Sequence, residues 1–103
     1  MSGTVKVIVY RVGQAPVIEE IPNTLESMQG LVGGYIEYVP LSDTFCLICN
    51  EEGKLVDLPP NRLAINIDVI CGDFFVSRDA SNGELQSVED ADLAAVSQFF
   101  SDC

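Results

Sequence analysis

The sequence predicts an α+β fold: a single domain over residues 1–103, with a mixed or mainly antiparallel β-sheet and two helices packed on it. Three observations predict it. Near the N-terminus Val5, Val7 and Val9 alternate with Lys6, Ile8 and Tyr10, the period of a strand. Two stretches, Thr24–Val32 and the one after Ser87, carry apolar residues at helical spacing behind capping residues. Turn-forming clusters divide the remainder into short apolar runs, with no internal repeat and no low-complexity tract.

The first strand is expected to be buried mainly on one face. Gly13–Pro16 marks a turn, and Val17–Ile21 pairs back as a second strand. Asn23 is placed as an N-cap because Glu26, three residues on, closes a capping box. The helix Thr24–Val32 sets Leu25, Met28, Leu31 and Val32 on one side and ends at Gly33-Gly34. Tyr35–Leu41 and Phe45–Asn50 then form a hairpin about Ser42-Asp43-Thr44. Ile36, Tyr38 and Pro40 share one of its faces; Tyr35, Glu37, Val39 and Leu41 share the other. Glu51-Glu52-Gly53-Lys54 reads as a turn in which Gly53 supplies positive φ. Pro59-Pro60 stiffens Leu58–Arg62.

Asp68–Ser77 reads as one late strand, with Gly72 marking a bulge or a close backbone approach. Ser81-Asn82-Gly83 turns the chain into a last helix capped by Ser87. Glu89 and Asp90 fall in its first turn, and Leu93, Val96, Phe99 and Phe100 form its stripe. The expected core is Val7, Val9, Leu25, Leu31, Ile36, Val39, Leu47, Ile70, Phe74, Val76, Leu93 and Val96.

Sixteen acidic residues against five basic ones, with no histidine, give a net charge of −11. Such a field repels phosphates and anionic lipid, so neither direct nucleic acid binding nor a membrane partner is expected; a basic partner suits it. The N-terminus reads as a strand and not as a signal peptide, and no apolar run reaches membrane-spanning length. A cytoplasmic location with reduced thiols is therefore expected.

Cys46-Leu47-Ile48-Cys49 has the spacing of a zinc half-site or redox pair, yet on a strand positions three apart face opposite sides. Zinc would need Cys71 and Cys103 to converge on them. The carboxylate clusters Glu19-Glu20, Glu51-Glu52 and Glu89–Asp92 read as solvated, and no histidine base or phosphate loop is present. No enzymatic activity, metal or cofactor is expected. Tyr35, Glu37, Asn50, Glu51, Lys54, Asn61 and Arg62 instead form a candidate ligand site. Asparagine pairs donor with acceptor, and arginine's planar fork suits phosphate or carboxylate. The competing reading pairs Arg62 with Glu37 or Glu51 and uses the asparagines to brace turns.

The same block carries a resemblance. Gly33-Gly34-Tyr35-Ile36-Glu37, Asn50-Glu51-Glu52-Gly53-Lys54, Leu58-Pro59-Pro60-Asn61-Arg62 and Gly72-Asp73-Phe74-Phe75-Val76 resemble a family of small proteins of unknown function. Its members are encoded by phages, plasmids and other mobile elements, chiefly of Gram-positive bacteria. The likeness runs from the first strand through Val76, and the acidic C-terminal helix is the part least expected to be shared. It implies context without mechanism, since small acidic proteins of mobile elements often block host defence. The expectation is a non-enzymatic, anti-defence binding protein that engages a host protein or sequesters a small anionic, nucleotide-like ligand. The alternative is an acidic DNA mimic, or a regulatory or structural interaction module. A homo-oligomer is compatible with each.

Overall fold

β1 (Thr4–Tyr10) and β2 (Val17–Pro22) form the expected first hairpin, in register from Thr4↔Pro22 to Val9↔Val17. They open a computed structural model that describes residues 3–53, 55–64, 67–79 and 84–102. The helix α1 (Leu25–Val32) is capped one residue later than Asn23: Thr24 is extended, and its hydroxyl accepts the Ser27 N–H at 3.1 Å. Asn23 is held elsewhere, its N–H donating to the Gly3 carbonyl. A threonine hydroxyl satisfies the first-turn amide as asparagine would, so the geometry of the entering chain decides between neighbours. Met28 and Val32 are buried and Leu31 is half-buried, but Leu25 is 57% exposed, against expectation. It is the first residue of the helix and belongs to neither core cluster. Gly33 ends α1 in the left-handed conformation.

The hairpin of β3 (Ile36–Pro40) and β4 (Phe45–Asn50) follows as expected, with Ile36↔Asn50 at one end and Pro40↔Cys46 at the other. The next turn differs in detail. Its left-handed residue is Asp57 (φ 57°), not Gly53. Gly53 is required for space, because a Cβ there would lie 2.9 Å from the Cys71 carbonyl oxygen.

The largest departure is that there are two sheets. The run Asp68–Ser77 is broken into β6 (Val69–Cys71) and β7 (Phe74–Asp79), with Gly72 between them at φ 81°. β6 pairs with β5 (Pro60–Ala64), which pairs with β9 (Phe100–Asp102) in a small sheet. β7 occupies the centre of a six-stranded sheet in the order β2-β1-β7-β4-β3, with β8 (Leu85–Gln86) beside it. All of these pairings are antiparallel. A single glycine thus moves the chain between sheets, a long-range event that a bulge reading underestimates.

The last helix is shorter than expected. α2 spans Asp92–Ser97 with no side-chain cap, and Phe99 and Phe100 lie beyond it. Ser87 serves β1 instead: its hydroxyl accepts the Lys6 N–H at 2.9 Å, while the Val88 N–H donates to the Lys6 carbonyl. The segment 85–88 therefore bridges β7 and β1. The turn expected at Ser81-Asn82-Gly83 lies outside the described residues.

The architecture is layered because the central strands are apolar on both faces. Val5, Val7 and Val9 of β1 with Ile48 of β4 and Phe75 of β7 meet Met28 and Val32 of α1. Ile8, Tyr10, Leu47, Phe74 and Val76 meet Ala64 and Ile70 of the small sheet and Val96 of α2. Every residue of β4 is buried. Ile36, Val39 and Leu93 of the expected core pack partly buried at its edges.

α2 is tied to β7 by a bidentate ion pair: Arg78 Nε and Nη2 donate to the two Asp92 carboxylate oxygens at 2.7 and 2.9 Å. Asp92 is buried and also accepts the Glu89 N–H at 2.8 Å. The Arg78 hydrogen bonds hold its carboxyl below the ordinary value of 3.8, with burial opposing them. Because the folded value is the lower one, this contribution is full above pH 4 or so and is lost as pH falls through the folded value. Two outcomes follow. Asp92→Asn should cost about 1–2 kcal/mol at neutral pH, the pair being partly solvent-screened, and should flatten the acid limb of the stability profile measured by urea titration. Gly72→Ala should cost about 1–3 kcal/mol in the same assay, since it places a Cβ at positive φ and 2.6 Å from a Leu58 methyl group. A neutral result there would show that the sheet-to-sheet turn relaxes freely.

Candidate functional site

The register of β5 shifts between Pro60↔Cys71 and Arg62↔Ile70, so Asn61 is an extra residue in the ladder. Its side chain turns inward and is 3% exposed. The amide nitrogen donates to the Tyr10 carbonyl at 2.8 Å and to the Gly72 carbonyl at 2.9 Å. Both amide hydrogens are thereby used, and the amide oxygen accepts from Arg62 Nη1 at 2.9 Å. Gly72 answers with its own N–H, which donates to the Pro59 carbonyl at 2.7 Å. Pro59 and Pro60 hold this approach stiff, lacking amide hydrogens of their own.

Arg62 turns to the same structural task. It donates to the Asn61 carbonyl at 3.0 Å and to the Gln14 carbonyl at 2.7 Å, and its guanidinium lies 5.5 Å from the Tyr10 ring centre. A cavity of about 640 Å³ separates the Val12–Pro16 turn from Pro60, Asn61 and Arg62. Beneath it Tyr10 stacks on Phe74 with centroids 4.9 Å apart and meets Phe100 at 4.8 Å. The Tyr10 hydroxyl is buried and has no hydrogen-bond partner among the described residues. Burial pushes its pKa up to about 12, against the pull of the Arg62 charge.

The other expected site residues lie elsewhere. Asn50 is buried at the end of β4, donating to the Val32 carbonyl at 3.1 Å and accepting the Glu52 N–H at 2.8 Å. It ties the end of α1 to the following turn, the bracing role that competed with ligand binding. Tyr35, 69% exposed, shares a cavity of about 290 Å³ with Asn50. Glu37 and Glu51 line a different one, of about 300 Å³, together with Cys49, Asp68 and Cys71. Lys54 lies outside the described residues. The block is therefore divided: Asn61 and Arg62 form one place, and Tyr35, Glu37, Asn50 and Glu51 gather around the open end of the β3–β4 hairpin.

Cys46 and Cys49 do face opposite sides of β4, one in each core cluster. Cys46 lies 3.2 Å from the Ser77 hydroxyl, and both are fully buried. Burial, then the Glu37 charge, pushes the Cys49 thiol up to about 11. Among the described residues no group of three or more cysteine or carboxylate side chains is placed to hold a metal ion. Cys103 lies outside the described residues.

Two features escaped the sequence reading. The Tyr38 hydroxyl donates to the Asp79 carboxylate, 41 positions away. Burial and that carboxylate raise the phenol's pKa, so it stays a donor. Beside this pair opens a cleft of about 880 Å³ between β1, the start of α1, β3 and residues 84–87. No local pattern marks either feature, because their parts come from distant segments.

A family model described as a domain of unknown function (DUF3846) matches residues 5–101. The chain belongs to this family. The DUF3846 match begins in β1 and ends in β9, so it includes α2, the part least expected to be shared. The Asp92 tether and the burial of Val96 make that segment integral to the domain. Searches of curated proteins and of solved structures return no match. Among the described residues of this DUF3846 chain, no helix is long and apolar enough to cross a membrane.

Asn61→Ala should cost about 2–4 kcal/mol, because two carbonyls lose their donors in a dry interior. Arg62→Ala should cost less, about 1–2 kcal/mol, since its groups are partly open to water. Thermal melts of the two variants, run side by side, check both the size and the order. An unchanged melt for Asn61→Ala would mean that the sheets are joined by packing alone.

Proposed function

We propose that this DUF3846 domain is a non-catalytic, cytoplasmic binding protein of a phage or mobile element that counters host defence by engaging a host protein with a basic surface. The observation that carries this reading is how charge is sorted. Arg11 forms a bidentate pair with Glu19, Arg78 one with Asp92, and Arg62 faces backbone carbonyls. Glu20, Glu26, Glu37, Asp43, Glu51, Glu52, Asp57, Asp68, Glu84, Glu89 and Asp90 are exposed, whereas among the described basic residues only Lys6 is. Such a surface attracts basic proteins and repels phosphates. The anionic-ligand alternative has less support, because Arg62 is directed at carbonyl oxygens. Catalysis also has less support, since a Cys49 thiol with a pKa near 11 stays protonated at neutral pH.

The phage and anti-defence context is taken from the four-motif resemblance, and the test is built to stand without it. The tagged domain is incubated with a bacterial lysate, and captured proteins and small molecules are identified by mass spectrometry across a salt series. A basic protein should be captured at about 0.15 M salt and released towards 1 M, as the Debye length shrinks from roughly 8 to 3 Å. Capture that persists unchanged at molar salt, or a nucleotide recovered in place of a protein, would overturn the reading.

A further inference from the structure

β3 is the outermost strand of the six-stranded sheet, and among the described residues no strand meets its far side. Which of its backbone groups face outward follows from the ladder. The Tyr35 carbonyl accepts the Glu51 N–H and the Leu41 N–H donates to the Phe45 carbonyl, so the odd-numbered residues between them bond towards β4. The N–H and C=O groups of Ile36 and Tyr38 therefore point away from the sheet. Pro40 comes next in this outward series and has no N–H, which ends the open run. The other edges are less open. On β2, Glu19 is engaged by Arg11 and Glu20 by Thr4, and β6 and β9 have only three residues each.

The two faces of β3 differ in chemistry. Ile36 and Tyr38 border the cleft of about 880 Å³, whose floor includes the buried Val5, Met28 and Ile48. Glu37 and Val39 border the cavity of about 300 Å³ on the opposite face, together with Glu51. Both glutamates are exposed. A strand added beside β3 would alternate its side chains between the same two faces, one set against the apolar cleft and the other against the carboxylates.

We propose that β3 is a docking edge for an extended, basic polypeptide segment, added antiparallel to Ile36–Tyr38, with apolar side chains on the Ile36–Tyr38 face and lysine or arginine side chains on the Glu37 face. This inference rests on the basic-partner reading above and names its contact surface. Antiparallel addition continues the pattern of every pairing among the described strands of this sheet. Main-chain bonds to Ile36 and Tyr38 supply affinity, and a basic residue opposite Glu37 makes a favourable cross-strand pair. The same carboxylate disfavours a second copy of this chain. Self-pairing would bring two Glu37 side chains onto one face, in molecules of net charge −11.

The probe is a blocked heptapeptide of alternating valine and lysine, titrated into ¹⁵N-labelled protein at about 0.15 M salt. In the antiparallel arrangement its valines share the Ile36–Tyr38 face and turn their N–H groups to β3, whereas its lysines turn theirs to solvent. N-methylation of the valines should therefore weaken binding about tenfold or more, and N-methylation of the lysines should leave it within about twofold. Amide exchange at Ile36 and Tyr38 should slow on saturation. Glu37→Gln, an exposed change, should weaken the unmethylated peptide severalfold, and an alternating valine–glutamate peptide should bind most weakly. Equal affinity of the two methylated peptides, or the reverse order, would overturn β3 docking and leave the basic-partner reading standing. A valine–glutamate peptide that binds as well as the lysine peptide would overturn both. The absence of saturation at millimolar lysine peptide would also overturn the proposal, as would protection of the two amides by self-association of the protein alone.

Discussion

Asn61 is the residue on which the two sheets depend. A β-sandwich interior is ordinarily joined by side chains alone, because strand backbones satisfy one another within each sheet. Here the chain leaves one sheet at Cys71 and enters the other at Phe74, and the turn at Gly72 exposes a carbonyl that no strand can satisfy. Asn61 supplies the missing donor with one amide hydrogen and secures the last carbonyl of β1, that of Tyr10, with the other. Leaving either carbonyl bare in the interior would cost about 1–3 kcal/mol. The bulge in β5 is what turns this side chain inward, and the prolines before it keep the bulge in place.

From this clamp the rest of the layering follows. With β6 and β7 fixed on either side of Gly72, β7 is left to pair with β1 and β4, which buries its first four residues, Phe74–Ser77, in the middle of the large sheet. The Tyr10–Phe74–Phe100 group sits directly behind the clamp and is drawn from three strands in both sheets. Arg62 lies over the Tyr10 ring, so the cation most exposed to a functional reading is also part of the junction. A chain with five basic residues against sixteen acidic ones thus places its arginines where they organise structure. The surface that remains is strongly acidic by subtraction.

Much of this was legible in the sequence wherever the cause was local. The alternation in Val5–Tyr10, the hairpin about Ser42–Thr44, the opposite facing of Cys46 and Cys49 and the glycine end of α1 all rest on neighbouring residues. Failures came where a distant partner decided. Thr24 replaced Asn23 as the cap while Asn23 bonded Gly3, and Ser87 left the helix to serve Lys6. Gly72 was recognised as special, but only the pairing of β5 with β6 reveals that it separates two sheets. The candidate site divided for the same reason: seven polar residues close in sequence were assumed close in space. Asn50 and Asn61 are separated by a turn and a change of sheet, and each is consumed by backbone groups along its own path.

The C-terminal segment shows why the family boundary falls where it does. Read alone, residues 87–102 are an acidic, short and weakly helical tail. In the fold they complete three things at once. Val96 and Phe100 close the face of the large sheet opposite α1, β9 supplies the second neighbour of β5, and Asp92 neutralises Arg78 beside the Phe45 ring. Without β9, β5 would become an edge strand carrying the Asn61 bulge, and the clamp would lose the sheet that supports it. A match extending to residue 101 is therefore what the packing requires, since the domain cannot end at Val76 and still bury its second face.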